Sequence, residues 1–346
     1  MRQTKMYRVD IESILAQNCD WLGFKGKTFL ITGATGLVGT VLVDMLVFLN
    51  DEFSLGIKLI LVSRHERRSK LSFVRYIAHD IASPLEVDEK VDFIVHAASN
   101  THPLQYSRFP IETAATNIFG TYNLLALAAK NQGSRFLFVS SVEIYGDDIH
   151  GHESGFSEND VGHLDCNNPR SCYNESKRMG ETLCAAFLAE KKVDYVTARV
   201  CRCYGPTLKG DDSKAMSQFL RNAVEGKNIV LKSEGNQFYS YVYSADAASA
   251  LLFLLLKGGT GEPYNIADKT SDTKLRDLAS IVAECAGVAV VFDLPDETEA
   301  GGYSKATKAV LDTGKIHALG WKANFSLTDG IRRTIQIMRE IKKTEK

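Results

Sequence analysis

The sequence predicts an α/β fold, a doubly wound parallel sheet with helices on both faces and a smaller mixed α/β lobe toward the C-terminus. Three observations predict it. Short β-branched and apolar runs alternate with segments of helical period over the first two thirds of the chain, the alternation that a parallel sheet with crossover helices requires. A glycine-containing turn joins the first such run to the first helical segment, at the place where sheets of this class bind ligands. After Gly205 the pattern loosens, with Gly, Pro, Asp and Lys gathered over Gly205 to Lys214, and the later runs are shorter and mixed.

In chain order, Ile11 to Trp21 has apolar residues at helical spacing and leads into a turn at Gly23 to Lys27. It is expected as an N-terminal helical extension, a hydrophobic cap rather than a flap over a site or a subunit contact. Thr28 to Thr32 reads as the first buried strand, Val38 to Leu49 as the first helix and Lys58 to Ser63 as the second strand. Val91 to Ala97, Phe136 to Ser141 and Tyr195 to Val200 are further strands, with helices at Thr116 to Lys130 and Tyr173 to Glu190. Beyond the loosened stretch, Met216 to Val224, Leu275 to Ala286 and Ile331 to Lys342 read as helices, and Ile229 to Leu231 and Ser240 to Tyr243 as strands. No internal repeat appears, and Lys342 to Lys346 reads as a frayed end.

The chain has 346 residues with 41 Lys+Arg against 42 Asp+Glu, so no global field favours a polyanion or an anionic membrane surface. Nucleic-acid binding is not expected. Hydrophobic residues at 45% and charged residues at 24% are those of an ordinary globular protein. The most apolar run, Ala250 to Leu256, falls far short of the ~20 residues of a membrane helix, and Met1 to Asp10 lacks an apolar leader core. No membrane association and a cytoplasmic location are therefore expected. Seven scattered cysteines without a C-x-x-C pair read as reduced thiols. Cys201-x-Cys203 has no matching Cys/His pair at zinc spacing, and His150 with His152 reads as a polar loop, so no metal is expected.

Three motifs carry chemistry. Thr32-Gly33-Ala34-Thr35-Gly36-Leu37-Val38-Gly39 lies between a strand and a helix, where backbone N–H groups and the helix dipole would receive a pyrophosphate. In Tyr173-Asn174-Glu175-Ser176-Lys177 the phenol and the ammonium are four residues apart on one helix face. A cation there favours the phenolate, so the tyrosine would move a proton near neutral pH. Ser140-Ser141-Val142-Glu143-Ile144-Tyr145-Gly146 ends a central strand, where a hydroxyl and a carboxylate would orient a sugar hydroxyl and act as a base. The bland alternatives are a tight turn, a chance pair and strand capping.

Glycine turn, strand-end Ser with Glu, and Tyr-x-x-x-Lys, in this order on one chain, resemble the extended short-chain dehydrogenase/reductase family of nucleotide-sugar epimerases, dehydratases and decarboxylases. The resemblance covers almost the whole length. Further pieces are Asp80-Ile81, His96-Ala97-Ala98, Asn117, Ala198-Arg199, Tyr204-Gly205-Pro206, Tyr264-Asn265-Ile266, Tyr303-Ser304-Lys305-Ala306 and Leu319-Gly320-Trp321. It implies a Rossmann dinucleotide-binding domain over 28–205, preceded by the extension at 1–27 and followed by a substrate lobe over 206–346 whose chain crosses back to the Rossmann domain.

The resemblance also implies NAD, held by Gly33, Thr35, Gly36, Leu37, Val38 and Gly39, by Ser63 and Arg64, by Ala97, Ala98, Ser99 and Asn117, and by Tyr173 and Lys177. Asp80 and Ile81 would contact the adenine. Ser141, Glu143, Tyr173 and Lys177 would be catalytic, with Tyr173 as the general base and Lys177 on the nicotinamide ribose. Thr101, Ser141, Glu143, Arg202, Lys209 and Tyr239 would face a nucleotide-sugar substrate. A homodimer packed through the helices at Thr116 to Lys130 or Tyr173 to Glu190 is expected on the same ground.

Within the family, Asn168 to Cys184 looks like the corresponding stretch of UDP-glucuronate decarboxylases. Dehydratases of the family usually carry Thr-Asp-Glu where this chain has Ser141-Val142-Glu143, and Val142 has no proton to give. Three positions depart from the pattern. Ser63-Arg64 replaces the usual acidic residue at the ribose and would suit the 2′-phosphate of NADP. Arg202 stands where the family has Asn, and Tyr239 where decarboxylases have Arg for the diphosphate. Either Arg202, with Lys209, replaces a lost phosphate or carboxylate contact, or it pairs with a carboxylate such as Asp246. The readings left open are decarboxylation, NADPH-dependent ketoreduction, 4-epimerisation and dehydration of a CDP- or dTDP-sugar, with a cofactor-binding sensor as the non-enzymatic contrast.

Overall fold

The computed structural model describes residues 4–101, 103–148, 151, 154–293 and 307–344. His150, His152 and the motif at 303–306 lie outside them. The N-terminal helix α1 (Lys5–Glu12) precedes β1 (Thr28–Thr32), α2 (Leu37–Phe53), β2 (Lys58–Ser63), β3 (Val74–Ala78) and β4 (Phe93–His96). Then come α3 (Pro103–Arg108), α4 (Pro110–Lys130), β5 (Arg135–Ser141), α5 (Ser171–Lys191) and β6 (Asp194–Val200). The chain continues through β7 (Arg202–Tyr204), α6 (Ala215–Val224), β8 (Ile229–Leu231), β9 (Phe238–Tyr243), α7 (Ser244–Lys257), β10 (Pro263–Ile266), β11 (Asp268–Lys274), α8 (Leu275–Ala286) and β12 (Val290–Phe292). It closes with β13 (Lys308–Ala309), α9 (Gly314–Leu319) and α10 (Leu327–Thr344).

Seven parallel strands form the main sheet in the order β10-β6-β5-β4-β1-β2-β3. The order reverses between β1 and β4, so the crevice for a ligand opens at the carboxyl ends of these two strands. Side chains alternate strictly between the two faces. Phe29, Ile31, Leu59, Leu61 and Val95 enter one core with α2 and α7, while Leu30, Ile60, Val62 and Ile94 enter the other with α4 and α5. A second sheet sets β9 between antiparallel β11 and parallel β13 and β7, and β8 pairs with β12.

The expected elements are present with shifted ends, and two regions differ. The apolar run at Ala250 to Leu256 belongs to α7, a helix whose residues Ser244 to Leu255 are all buried against α2 and β6. A helix apolar on every side is a core helix. The extension is not one helix over Ile11 to Trp21. Its α-helix is α1, capped by the Thr4 hydroxyl, and the chain then makes short 3-10 turns at Ser13–Ala16 and Trp21–Phe24.

Tertiary partners explain the shift. Asp10 is 1% exposed and binds Arg333 at 2.6 Å and the Tyr243 hydroxyl at 2.6 Å, so a charged residue takes an inward place in α1. Tyr7 donates to Asp44 of α2 at 2.8 Å, and Gln17 to the Lys322 carbonyl at 2.8 Å. With Tyr7, Ile11, Ile14 and Trp21 in the core, the extension is a cap that ties α2 to β9 and α10.

Candidate active site

Between β1 and α2 the chain makes a cradle. Gly33 has a φ of +73°, and a Cβ there would stand 2.5 Å from the Ala97 carbonyl group. A Cβ on Gly39 would run into the Gly33 carbonyl oxygen. Glycine at both places lets α2 start close against the sheet, and among the described residues no side chain caps its first N–H groups at Leu37, Val38 and Gly39. Thr35 and Gly36 are half-buried on the turn itself. Bare N–H groups at a helix start, beside a backbone no Cβ crowds, fit a diphosphate.

The neighbouring strand end is fixed by hydrogen bonds. Thr32 Oγ1 accepts from the Ala98 N–H at 3.2 Å and lies 2.9 Å from His96 Nδ1. His96 is fully buried, and burial followed by the Lys177 charge lowers its pKa to about 3, so it is a neutral ring. Ser99 donates to Asn117 Oδ1 at 2.7 Å, Asn117 Nδ2 to Ser176 at 2.8 Å, and Ser176 to the Tyr173 carbonyl at 3.0 Å. This relay locks β4, α4 and α5 together beneath Tyr173.

Ser63 ends β2 with its hydroxyl on the His65 carbonyl at 2.6 Å. Arg64 is exposed and paired with Glu112 of α4 at 3.1 Å. Asp80 is exposed with its carboxylate on the Ala82 N–H at 3.0 Å, whereas the Ile81 side chain is buried against α4.

At the end of β5, Ser141 caps a 3-10 turn, Val142–Tyr145, by accepting from the Glu143 N–H at 3.2 Å. Its hydroxyl stands near the Tyr173 phenol and acts to lower it. Val142 points into the core, 4% exposed, while the Glu143 side chain is half-buried at 35% exposure. Tyr173 is 6% exposed and stacks on Tyr106 of α3, ring centroids 5.4 Å apart. Lys177 is 3% exposed, donates to the Val139 carbonyl at 2.8 Å and lies 6.0 Å from the Tyr173 ring centroid.

Burial lowers the Lys177 ammonium to about 8. The expected depression of the phenol does not appear, because burial raises Tyr173 and neither the Ser141 hydroxyl nor the ammonium offsets it. A lowered phenol needs further positive charge in the pocket.

The two substituted positions meet. Arg202 lies on β7 opposite Tyr241 of β9, and its guanidinium sits 3.5 Å from the Tyr239 ring centroid. Its Nη2 reaches Glu143 at 3.5 Å, and Asn174 donates to the Glu143 carbonyl oxygen at 2.8 Å. The alternative pairing with Asp246 is not made, since that buried carboxylate accepts the backbone N–H groups of Asn324 and Phe325 at 2.7 and 3.2 Å. Glu143, Arg202 and Tyr239 therefore form one cluster beside Tyr173. Lys209 is exposed in the turn before α6, Thr101 is exposed before α3, and neither hydrogen-bonds that cluster among the described residues.

Sequence reasoning missed Tyr106 and the role of Arg199. Tyr106 is a lone aromatic in the link after β4, with no motif to mark it. Burial, then Glu143, raises its phenol to about 12, and Arg170 lies over its ring at 5.8 Å. Arg199 holds Glu181 at 2.7 Å, the Tyr145 hydroxyl at 3.0 Å and the Glu158 carbonyl at 2.7 Å, bracing the turn that carries Glu143.

A model of the NAD dependent epimerase/dehydratase family matches residues 29–267. UDP-glucuronic acid decarboxylase 1 of Arabidopsis thaliana is 31% identical over 92% of this chain and 71% of its own length. Its namesake from Xenopus tropicalis is 29% identical over 91% and 72%. Among solved structures, a dTDP-glucose 4,6-dehydratase from Streptomyces venezuelae with NAD bound is 25% identical at a TM-score of 0.77, covering 92% of this chain and 98% of that one.

Proposed function

The chain belongs to the NAD dependent epimerase/dehydratase family, and from that membership we propose that it modifies nucleotide sugars with a bound, recycled NAD, by decarboxylating a UDP-linked glucuronic acid. Gly33, Thr35, Gly36, Leu37, Val38 and Gly39 would hold the diphosphate. Ala97, Ala98, Ser99 and Asn117 would line the crevice, with Asp80 and Ile81 at the adenine and Tyr173 and Lys177 at the nicotinamide ribose. NAD supplies the acceptor and later the donor of a hydride, together with a positive charge in its oxidised form. Beside that charge the Lys177 ammonium would favour the Tyr173 phenolate, which would take the proton of the sugar 4-hydroxyl.

Ser141, beside the phenol, would hydrogen-bond the same sugar oxygen. The 4-ketone of a uronate is a β-keto acid. Its carboxylate leaves as carbon dioxide while the electron pair of the broken bond moves onto the ketone oxygen as an enolate, and a proton returns to the carbon. Two groups of the chain serve these steps, Ser141 on the oxygen and Glu143 at the open rim.

The observation that carries this reaction over dehydration is the turn Val142–Tyr145. It buries the valine at the dehydratase acid position and leaves Glu143 as the carboxylate beside Tyr173. The Arg64 guanidinium, engaged by Glu112, supports NAD rather than NADP. The test is mass spectrometry of UDP-glucuronate incubated with catalytic protein and no added cofactor. A UDP-pentose is expected, and unchanged substrate removes the reading.

The same proposal includes a homodimer through α4 and α5, supported by Phe119, Tyr122 and Met179, which are 57%, 51% and 45% exposed on those helices. Sedimentation should give twice the chain mass for the wild type and the monomer mass for Phe119→Glu.

A further inference from the structure

Arg202 is held in place without being satisfied. Its plane rests on the Tyr239 ring at 3.5 Å, its Nη2 reaches one Glu143 oxygen at 3.5 Å, and its buried Nη1 has no hydrogen-bond partner among the described residues. A guanidinium presents five N–H donors in a rigid fork that fits both oxygens of a carboxylate, so one long carboxylate contact beside the Tyr239 side chain leaves the Nη1 arm of that fork to be filled. Glu143 does not close the fork because its turn is held elsewhere. Ser141 caps it, Asn174 binds the Glu143 carbonyl, and Arg178 binds the Ile144 carbonyl at 2.7 Å. Tyr239 sits two residues before Tyr241, the register partner of Arg202, so the aromatic platform shares a strand face with the position opposite the arginine.

We propose that Arg202 is the receptor for a carboxylate on the sugar of the substrate, and that Glu143 occupies it until such a substrate arrives. The incoming carboxylate takes the guanidinium in a two-bond pair while Tyr239 keeps its plane fixed, and Glu143 is released from its cation at the moment the sugar is in place. A neutral hexose on the same nucleotide gains nothing from this exchange. The inference rests on the nucleotide-sugar reading above and adds to it the charge by which the substrate is selected. Arg202 is thus a specificity residue and Tyr239 a positioning residue that acts through it.

Calorimetric titration with UDP-glucuronate and with UDP-glucose, every protein carrying Tyr173→Phe so that the ligand is not consumed, tests this directly. The Tyr173→Phe protein is expected to prefer UDP-glucuronate by about tenfold or more, since charge-assisted paired bonds are the strong ones. Arg202→Gln should erase that preference by lowering UDP-glucuronate affinity about tenfold more than UDP-glucose affinity. Glu143→Gln should raise the ratio of UDP-glucuronate to UDP-glucose affinity severalfold, because the competitor for Arg202 is gone. Tyr239→Phe should keep the preference and Tyr239→Leu should weaken it. Circular dichroism shows which variants are folded.

A Tyr173→Phe protein that does not distinguish the two ligands, including one that binds neither, overturns the proposal. So does an Arg202→Gln protein that keeps the preference, or a Glu143→Gln protein with no gain. Product analysis of the wild type reads the reaction separately. Arg202-dependent preference without carbon dioxide release keeps the receptor and removes the decarboxylase reading. Carbon dioxide release without that preference does the reverse.

Discussion

Arg199 and Arg202 stand on either side of the break between β6 and β7, and the molecule treats them oppositely. The Arg199 side chain is 10% exposed and makes bonds of 2.7 to 3.2 Å to both Glu181 oxygens, the Tyr145 hydroxyl and the Glu158 carbonyl. Among the described residues Arg202, 22% exposed, has one carboxylate contact at 3.5 Å and a buried nitrogen without a hydrogen-bond partner. A saturated arginine holds a frame, and nothing small displaces its partners. An undersatisfied one in a cleft has capacity left for a ligand. The same residue type, three residues along the chain, is saturated in one place and keeps donors to spare in the other.

The largest expected effect is on the ligand side of this contrast. Tyr173→Phe removes the hydroxyl proposed to take the substrate proton, and turnover should fall by about 10²–10⁴-fold with little change in melting temperature. Near-normal activity would break the assignment. On the frame side, Arg199→Met leaves Glu181 buried without its cation, and removal of one member of such a pair costs about 3–5 kcal/mol. Urea unfolding should show that loss for Arg199→Met and less than about 1 kcal/mol for Arg202→Gln. Equal losses would erase the distinction between the two sites.

Arg333 lies between these extremes and makes the third prediction. It binds Asp10 at 2.6 Å and Asp329 at 3.1 Å, yet burial raises the Asp10 carboxyl to about 6 despite that partner. Because the folded-state value is raised, the folded protein holds this proton more tightly than the unfolded chain does. The stabilisation is complete below about pH 4 and is lost as the pH rises through about 6, an amount of up to about 3 kcal/mol. Asp10→Asn mimics the protonated acid and cannot titrate. Its stability relative to the wild type should therefore rise between pH 4 and pH 7, measured by urea unfolding at each pH. A flat difference would mean that Arg333 fully offsets the burial of the charge.

How much of this was legible in the sequence follows the range of the forces involved. β1, α2, β2, α5 and α8 are written in local periodicity and in a glycine turn, and each was readable to within a few residues. The extension was misplaced because Asp10 is inward only by virtue of Arg333 and Tyr243, partners more than 200 residues away. The seven-residue apolar run gave no hint that α7 continues to Ser244, since its first turn is Ser, Ala and Asp. At the candidate site, Ser141, Glu143, Tyr173 and Lys177 were marked by type and spacing. The link between Arg202 and Tyr239 was not, because they come from two strands that meet only when β7 pairs with β9. The phenol of Tyr173 went the other way from expectation for the same reason: spacing reports the nearby cation, and only the fold reports the burial.

The smallest expected effect concerns another arginine occupied by a glutamate. Arg64 and Glu112 form a pair at 3.1 Å in which both side chains are more than half open or close to it, 62% and 50% exposed. Exposed pairs contribute about 0.2–1 kcal/mol, so Glu112 can withhold Arg64 from a 2′-phosphate by no more than that amount. With 1.4 kcal/mol equal to a factor of ten, Glu112→Gln should raise NADP affinity by at most about fivefold and leave NAD affinity unchanged. Fluorescence titration with each dinucleotide measures both. A tenfold or larger gain in NADP binding would show that Glu112 alone sets the cofactor choice. No gain would show that Arg64 does not reach the ribose phosphate even when free, and that the arginine at the end of β2 belongs to the surface rather than to the site.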